Sequence, residues 1–368
     1  MENNRRNWLK QVSLGVVGLG LGQLETFANP VLPDYFNSKS SDLPILLRSN
    51  ENPYGPSPLA RVAMTESVNI SNRYGWNLTS ELTSEIAKKN NVNPNNILID
   101  AGSTKILDLV LQFSSLNKGN FILAETTYDY WTYPAKTLGI QKITVPLTKD
   151  KKHNLTAMLK AIEPDTRMIY ICNPNNPTGT ICKREELESF INEATKKVIV
   201  LVDEAYIDFT NQESLSNLVL ENKNLIIAKT FSKMYGLAGA RIGYAVANES
   251  TINEISQLQS WPNGSVSVVS TAGALASLKD EEFKKKVYSL NEKAKKYTIE
   301  QLENLNITCI PSSSNFIYFS LSNYKKDFFE QLKKNNIEGT KIYEENGKWS
   351  RITVGTMQEM ELFINAIR

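Results

Sequence analysis

The sequence predicts an α/β fold in which a mostly parallel, three-layer sheet carries helices on both faces. Short apolar, β-branched runs alternate with polar-apolar helical stretches through the middle of the chain, which is the pattern of βαβ units. Polar residues directly follow many of these runs, as they do at the carboxyl ends of buried parallel strands. The predicted strands are 97–99, 121–124, 142–145, 168–172, 198–202, 225–228 and 241–246.

A second, smaller α+β domain is predicted at the carboxyl end, because longer helical segments replace the alternation after Trp261 and Pro262. It should contain strands at 315–321 and 351–354 and a closing helix at 358–367. The predicted organisation is a leader at 1–28, an N-terminal arm at 29–60, a large domain at 61–262 and a small domain at 263–368.

One segment of the large domain, TFSKMYGLAGARIGY at 230–244, concentrates reactive side chains. The amine of Lys233 can condense with a carbonyl to give a Schiff base. Thr230 and Ser232 can donate to a phosphate, and Arg241 can pair with the same phosphate through its planar guanidinium group. Pyridoxal phosphate carries both an aldehyde and a phosphate, so the segment predicts a site for this cofactor.

Further candidate contacts with the cofactor lie upstream. Asp203 precedes Lys233 by 30 residues and ends the apolar run of VIVLVDEAY at 198–206. A carboxylate there can face the pyridine nitrogen, and a protonated nitrogen makes the ring an electron sink. Tyr206, and Asn176 in NPNNPTG at 173–179, can donate to the cofactor's 3-oxygen. The alternatives are a helix cap for Asp203 and a turn-former for Asn176.

With these residues in place, the sequence resembles the fold-type I, class I and II pyridoxal-phosphate aminotransferases, nearest to the histidinol-phosphate aminotransferase family. The resemblance covers nearly everything after Leu46. The motifs that carry it, in order, are SNENPYGPSP at 49–58, the aromatic patch around Tyr74, GST at 102–104, TTYDYW at 126–131, NPNNPTG at 173–179, VDEAYIDF at 202–209, TFSKMYGLAGARIGY at 230–244 and SRITVGT at 350–356. No single motif decides the assignment, but the ordered set does.

The resemblance implies three sets of site residues. The catalytic set would be Lys233, Asp203 and Tyr206. The cofactor-binding set would be Ser103, Thr104, Tyr128, Asn176, Asp203, Tyr206, Thr230, Ser232, Lys233, Arg241 and Tyr74. The substrate-binding set would be Asn52, Tyr128, Asn176 and Arg351.

Some of these implied roles have particular consequences. Tyr128 would stack on the cofactor ring, and Arg351 would grip the substrate α-carboxylate in a bidentate pair. Tyr74 would reach the phosphate of the neighbouring subunit, so the resemblance implies a homodimer. The alternatives are aromatic packing for Tyr128 and Tyr74, and a surface pair with Glu359 for Arg351.

The resemblance implies transamination between an L-amino acid, or an amine similar to histidinol phosphate, and a 2-oxo acid such as 2-oxoglutarate. Lys341 stands where relatives commonly place an arginine that binds the distal group of the substrate, and lysine lacks the two-pronged geometry of arginine. This difference argues against assuming histidinol phosphate. A decarboxylase or lyase on the same scaffold and a non-catalytic cofactor-binding protein are the alternatives.

Composition excludes several other classes of protein. The 41 basic and 39 acidic residues give a formal net charge of +2 and are spread along the chain, so no nucleic-acid-binding stripe is indicated. The single histidine, His153, lies in a polar loop and is predicted to be a surface residue. One histidine and three cysteines without metal-binding spacing exclude a His-rich metal site and indicate no metal.

The amino-terminal residues resemble a twin-arginine export signal. RRNWLKQ at 5–11 precedes a weakly apolar, glycine-rich run at 12–24 and then Thr26, Phe27 and Ala28. The run is too short for a stable membrane span. We expect export, to the periplasm in a bacterium with two membranes, with cleavage after Ala28. The alternative is an ordinary amphipathic leader or a wrongly chosen start, in which case the protein would stay in the cytoplasm.

Overall fold

The computed structural model describes residues 43–368, in which three sheets are packed with helices. The strands are β1 (Ile45–Leu46), β2 (Ile97–Asp100), β3 (Gly119–Ala124), β4 (Ile140–Val145), β5 (Thr166–Cys172), β6 (Ile199–Asp203), β7 (Leu225–Thr230), β8 (Gly243–Ala247), β9 (Thr308–Ile310), β10 (Phe316–Ser320), β11 (Ile337–Glu338), β12 (Ile342–Glu344) and β13 (Trp349–Thr353).

The helices that connect these strands follow in the same order. The α-helices are α1 (Pro58–Ser67), α2 (Trp76–Lys89), α3 (Ser103–Ser115), α4 (Leu155–Lys160), α5 (Arg184–Ala194), α6 (Glu249–Ser256), α7 (Val268–Leu278), α8 (Glu281–Asn304), α9 (Phe328–Lys334) and α10 (Met357–Ile367). The short 3-10 helices are Val68–Ile70, Pro94–Asn96, Tyr130–Lys136, Ile207–Phe209 and Ser216–Leu220.

The largest sheet has seven strands in the order β2-β8-β7-β6-β5-β3-β4. Strands β3 to β7 pair in parallel, whereas β8 is antiparallel to both of its neighbours. Alternate residues along β5 and β6 are buried in two separate apolar clusters, with Ile169 and Val200 in one and Tyr170 and Leu201 in the other. Both faces of the sheet are therefore covered, and the predicted mostly parallel three-layer fold is confirmed.

The register of the central strands aligns the positions where they end. Cys172 is the partner of Asp203, and Asp203 is the partner of Ala228. Because carboxyl ends of parallel strands meet at one edge of a sheet, the segments after β5, β6 and β7 leave the sheet side by side. These segments contain most of the polar residues singled out from the sequence.

One predicted strand begins two residues later than the sequence pattern indicated. Arg241 has a φ of 52°, a left-handed conformation that a strand cannot contain. Strand β8 therefore starts at Gly243.

The carboxyl-terminal part contains a four-stranded antiparallel sheet in the order β12-β13-β10-β9. Its apolar cluster includes buried residues of α8 and α10 and also Leu47. The described part of the arm, from residue 43 onward, joins this part because β1 pairs with β11, and the backbone carbonyl of Leu47 accepts from Thr353. The domain boundaries after residues 60 and 262 remain predictions.

His153 is not at the surface, so the prediction for this residue is wrong. Its side chain is 5% exposed, and its Nε2 lies 2.9 Å from the carbonyl oxygen of Cys172. Burial lowers the His153 pKa from 6.5 to about 4. The polar sequence around it, KDKKHN, gave the wrong impression because a tertiary contact with β5 decides its burial.

His153 should make folding stability depend on pH. The His153 imidazole has a pKa of 6.5 in the unfolded chain and of about 4 in the folded chain. Between these two pH values the unfolded chain binds the proton more tightly, so folding stability falls as the pH drops from 6.5 to about 4. The loss should reach about 3 kcal/mol. Urea unfolding of wild type and His153→Gln at pH 7 and pH 4.5 checks this, and equal losses in the two proteins would contradict it.

The described residues provide neither a membrane-spanning helix nor a metal-binding cluster. Within residues 43–368 every helix is too short or too polar to cross a membrane. Among the same residues, no three histidine, cysteine, aspartate or glutamate side chains are grouped so that they could hold a metal ion.

Candidate active site

A cleft of about 910 Å³ lies at the carboxyl edge of the large sheet. Segments from both parts of the chain line it, including the arm at 48–51 and the strand-end residues described above. Of the predicted site residues, those that line it are Ser103, Thr104, Tyr128, Asn176, Asp203, Tyr206, Thr230, Ser232, Lys233, Arg241 and Arg351. The fold thus brings together residues separated by up to 303 positions (351 − 48).

At one end of the cleft, hydrogen-bond donors converge around the start of α3. Gly102 caps this helix with a φ of 91° and provides no side-chain cap, so the first backbone amides are left for another acceptor. A Cβ on Gly102 would lie 2.5 Å from Nη2 of Arg241, which shows how closely the guanidinium approaches the helix. Ser232 accepts a hydrogen bond from Thr230 at 3.0 Å. The cradle suits a phosphate dianion.

Lys233 lies in the middle of the cleft, on the loop after β7. Its Nζ donates to the carbonyl oxygen of Ser49 at 2.9 Å and lies 5.8 Å from the centre of the Tyr206 ring. Burial, reinforced by the positive charge of Arg351, lowers the pKa of Lys233 from 10.5 to about 8. A larger fraction of the amine is therefore neutral, and nucleophilic, at physiological pH.

Asp203 ends β6 and is 3% exposed. Its Oδ1 accepts from the backbone of Ala205, and its Oδ2 accepts from the Tyr170 hydroxyl, each at 3.0 Å. Burial raises the Asp203 pKa to about 6, against the lowering by these two hydrogen bonds and by Lys233. The carboxylate caps no α-helix, although its bond to Ala205 stabilises the local turn. A cationic partner in the cleft would favour its ionised form.

Asn176 and Arg351 form one unit on the opposite wall. The Arg351 guanidinium donates to Asn176 Oδ1 and to the carbonyl oxygen of Arg48. Since the Asn176 oxygen is engaged, its Nδ2 is the group left to donate. Asn175, rather than Asn176, makes the turn contacts, to Thr126, Thr127 and Thr178.

Arg351 has unused hydrogen-bonding capacity inside the cleft. Its Nε is buried and has no hydrogen-bond partner within residues 43–368. The alternative pair with Glu359 is absent, because the Glu359 carboxylate accepts from the backbone of Thr356 and caps α10. A carboxylate entering the cleft would satisfy the free guanidinium donor.

Three of the predicted site residues, Tyr128, Asn52 and Tyr74, differ in where they lie relative to the cleft. Tyr128 lines the cleft and also packs on Tyr130, with ring centres 5.9 Å apart, so packing and a cofactor contact are compatible. Asn52 does not line this cleft, because its amide donates to the Met234 carbonyl at 2.9 Å. Tyr74 is 72% exposed and also lies outside the cleft.

The structure adds site residues that the sequence did not reveal. Asn50 donates to the Tyr206 hydroxyl at 2.9 Å, and Tyr170 holds Asp203. Lys341, which the sequence did single out, lies at the cleft mouth, 5.5 Å from the ring centres of both Tyr130 and Tyr343. Asn50 stands in the SNENP signature, where a signal existed, but Tyr170 sits in an apolar strand that gives none.

The residues present fit pyridoxal phosphate. The donor cradle matches its phosphate, Lys233 matches its aldehyde, and the buried Asp203 carboxylate is a suitable counter-ion for a protonated ring nitrogen. The fold and this site define an enzyme class, the pyridoxal-phosphate enzymes of fold type I.

Comparison with known proteins narrows the class. The family profile "Aminotransferase class I and II" matches residues 44–367, and the chain belongs to this family. A histidinol-phosphate aminotransferase of Moorella thermoacetica is 36% identical over 330 residues, covering 88% of this chain and 84% of the relative. The cofactor of the chain is pyridoxal phosphate and its reaction is transamination.

Two other matches show the range of related activities. An aromatic amino acid aminotransferase of Mycolicibacterium smegmatis is 32% identical over 339 residues, covering 91% of this chain and 92% of the relative. A solved structure from Erwinia carotovora atroseptica, proposed to be a histidinol-phosphate aminotransferase, superposes with a TM-score of 0.83 at 29% identity. It covers 88% of this chain and 95% of its own.

Proposed function

We propose that this aminotransferase moves the amino group of an aromatic L-amino acid to a 2-oxo acid such as 2-oxoglutarate. The observation that carries this choice is the cleft mouth, where Tyr130, Tyr133 and Tyr343 surround Lys341. Aromatic rings there offer flat apolar contacts to a ring side chain. The Lys341 ammonium offers a charge for the second carboxylate of a dicarboxylic oxo acid.

The proposed chemistry assigns each residue a task. Bound pyridoxal phosphate supplies an aldehyde for the amine and a ring that withdraws electrons from the substrate α-carbon. Arg351 holds the α-carboxylate through its free donors, which orients the substrate. Lys233 Nζ, free once the substrate amine holds the aldehyde carbon of the cofactor, would take the proton from the substrate α-carbon and deliver it to that cofactor carbon. The lowered Lys233 pKa, about 8, favours the neutral amine that this step requires.

The remaining cleft residues hold charge and orientation. Asp203 keeps a proton on the ring nitrogen, because a buried carboxylate favours a cationic partner beside it. Tyr206 and Asn176 Nδ2 donate to the 3-oxygen. Ser232, Arg241 and the amides of Ser103 and Thr104 bind the phosphate.

A substrate panel tests the proposal. The absorbance of the bound cofactor follows each half-reaction separately, so L-phenylalanine, L-tyrosine and histidinol phosphate can be compared at equal enzyme concentration. We expect the aromatic amino acids to have the higher kcat/KM. The proposal is wrong if histidinol phosphate is the preferred donor, and release of carbon dioxide in place of an oxo acid would instead support the decarboxylase alternative.

Lys341→Arg should change the preference between substrates. A guanidinium can bind a phosphate in a bidentate pair, whereas the lysine ammonium is a single charge held near Tyr130 and Tyr343. We expect the ratio of kcat/KM for histidinol phosphate over L-phenylalanine to rise about tenfold. The matched control is Lys334→Arg on exposed α9, which should leave the ratio unchanged. An unchanged ratio in Lys341→Arg would show that Lys341 does not contact the distal group of the substrate.

We further propose a homodimer. Large apolar side chains on and beside α1 and α2 are exposed, namely Leu59, Val62, Val68, Ile70, Tyr74 and Trp76. Trp261 is also exposed and contacts Tyr74, with ring centres 5.0 Å apart. Tyr74, Trp76 and Trp261 contact one another, with ring centres 5.0 to 5.6 Å apart. Exposed rings grouped in this way are typical of an interaction surface, and a second copy would cover them. A monomer mass by light scattering at micromolar concentration would contradict this.

Export through a twin-arginine signal is proposed on the pattern at 5–28 alone, since these residues lie outside the described part of the chain. An exporter that accepts folded proteins suits an enzyme loaded with its cofactor in the cytoplasm. The intact mass of the native protein decides, because retention of residues 1–28 would show that no cleavage occurs after Ala28.

A further inference from the structure

Asn50 is buried beside the cleft, and hydrogen bonds hold its backbone in place. It is 1% exposed, and its φ of 52° is a left-handed conformation that asparagine tolerates better than most residues. Its backbone N–H donates to Thr353 Oγ1 at 2.9 Å, and its carbonyl accepts from Asn315 Nδ2 at 3.1 Å. The residue is thus fixed to the strands of the small sheet.

These contacts determine which way the Asn50 side-chain amide points. Thr353 Oγ1 accepts a hydrogen bond from the backbone N–H of Asn50. The Thr353 hydroxyl is therefore free to donate its proton to Asn50 Oδ1, which lies 3.2 Å away. Since Oδ1 is the acceptor in this pair, Nδ2 is the atom that faces the Tyr206 hydroxyl, at 2.9 Å. An amide N–H can only donate, so the Tyr206 oxygen accepts this bond.

The Tyr206 proton is left without an acceptor. Within residues 43–368 the Tyr206 hydroxyl donates to no other group, although Tyr206 is only 4% exposed and lines the cleft. Its ring is held edge-on against Phe316, with centres 5.0 Å apart. A buried hydroxyl with a fixed ring and one accepted bond is prepared to donate to a ligand.

We propose that Asn50 is a positioning residue for Tyr206: by donating to the phenol oxygen, it directs the phenol proton to the 3-oxygen of the bound cofactor. This inference rests on the proposed role of Tyr206. Without the Asn50 amide, the hydroxyl can rotate and the donation into the cleft weakens. Loss of the Asn50 amide should therefore change the protonation equilibrium of the bound cofactor as well as the rate of turnover.

The experiment is a pH titration of the visible absorbance of the bound cofactor, without substrate. A hydrogen bond donated to the anionic 3-oxygen stabilises that anion, and so lowers the pKa of the proton that the oxygen shares with the Lys233 nitrogen. Losing the donor therefore raises the pH of the absorbance change. We expect an upward shift of about one unit in Tyr206→Phe and about half a unit in Asn50→Gly. Glycine keeps the left-handed φ accessible, so the backbone is preserved.

Two additional variants separate positioning from loosening of the segment. Asn315→Ser removes the bond to the Asn50 carbonyl without touching its amide, and should leave the titration at the wild-type pH. Thr353→Val lets the Asn50 amide turn over and should shift the titration upward, which provides a second test if Asn50→Gly does not fold. In the Tyr206→Phe background, Asn50→Gly should add no further shift.

The possible results separate the proposed role of Tyr206 from the positioning role of Asn50. If Tyr206→Phe titrates like wild type, the proposed role of Tyr206 is wrong and the role of Asn50 fails with it. If Tyr206→Phe shifts but Asn50→Gly and Thr353→Val do not, only the positioning role of Asn50 is overturned. A persistent Asn50→Gly shift in Tyr206→Phe, or an equal shift in Asn315→Ser, also overturns it.

Discussion

Lys233→Ala should abolish covalent attachment of the cofactor and lower kcat by about 10⁴-fold. The residue both forms the bond to the aldehyde and moves the α-proton. Among residues 43–368, the only other lysine that lines the cleft is Lys341 at its mouth. The absorbance of lysine-bound cofactor should disappear, while the phosphate cradle still binds the cofactor reversibly.

Two variants make the Lys233 result specific. Lys233→Arg keeps a positive charge but provides no nucleophilic amine at accessible pH, so it should be as inactive as Lys233→Ala. Lys223→Ala, at an exposed lysine ten positions earlier, should retain both absorbance and kcat. Normal turnover in Lys233→Ala would remove the residue from the mechanism.

Asp203→Asn should retain the cofactor but lower kcat about 10²–10³-fold. Asparagine has nearly the same shape: its Oδ1 can still accept from the Ala205 backbone, and its Nδ2 can donate to the Tyr170 hydroxyl oxygen, whose own bond to the carboxylate is lost. It carries no charge to hold a proton on the ring nitrogen. Removal of the α-proton should therefore slow, which a larger deuterium isotope effect at the substrate α-carbon measures. Wild-type rates in this variant would contradict the counter-ion role.

The apoenzyme provides the folding control for Asp203→Asn. Burial raises the Asp203 pKa from 3.8 to about 6, so the folded state takes up a proton more readily than the unfolded state. Stability associated with this group is therefore present below pH 3.8 and is lost as the pH rises through 6. Above pH 6 the Asp203→Asn apoenzyme should be at least as stable as wild type. Lower activity then reflects chemistry and not unfolding.

Local patterns predicted the central sheet well because its strands are buried on both faces. The runs at 168–172 and 198–202 are continuous and apolar, and they ended next to NPNN and DEAY, so the position of Asp203 at a strand end followed from the sequence. The structure keeps these ends in register, with Cys172 opposite Asp203. Sequence reasoning succeeded where one periodic segment determined the outcome.

Contacts between segments that are far apart in the sequence could not be predicted from local patterns. Tyr170 could not be recognised as the partner of Asp203, because its hydroxyl reaches the carboxylate only through the pairing of β5 with β6. Within SNENP, the left-handed turn at Asn50 decides that Asn50 and not Asn52 reaches Tyr206. His153 was misplaced for the same reason, since its partner is the carbonyl of Cys172.

Every role proposed for the cleft residues depends on a covalent bond between the amine of Lys233 and pyridoxal phosphate. Reduction of the native holoenzyme with borohydride, followed by proteolysis and mass spectrometry, tests it directly. We expect the cofactor to be fixed to a single peptide, the one that contains Lys233 in TFSKMYG. Cofactor fixed to another lysine, or no labelled peptide from a fully loaded and active enzyme, would contradict it.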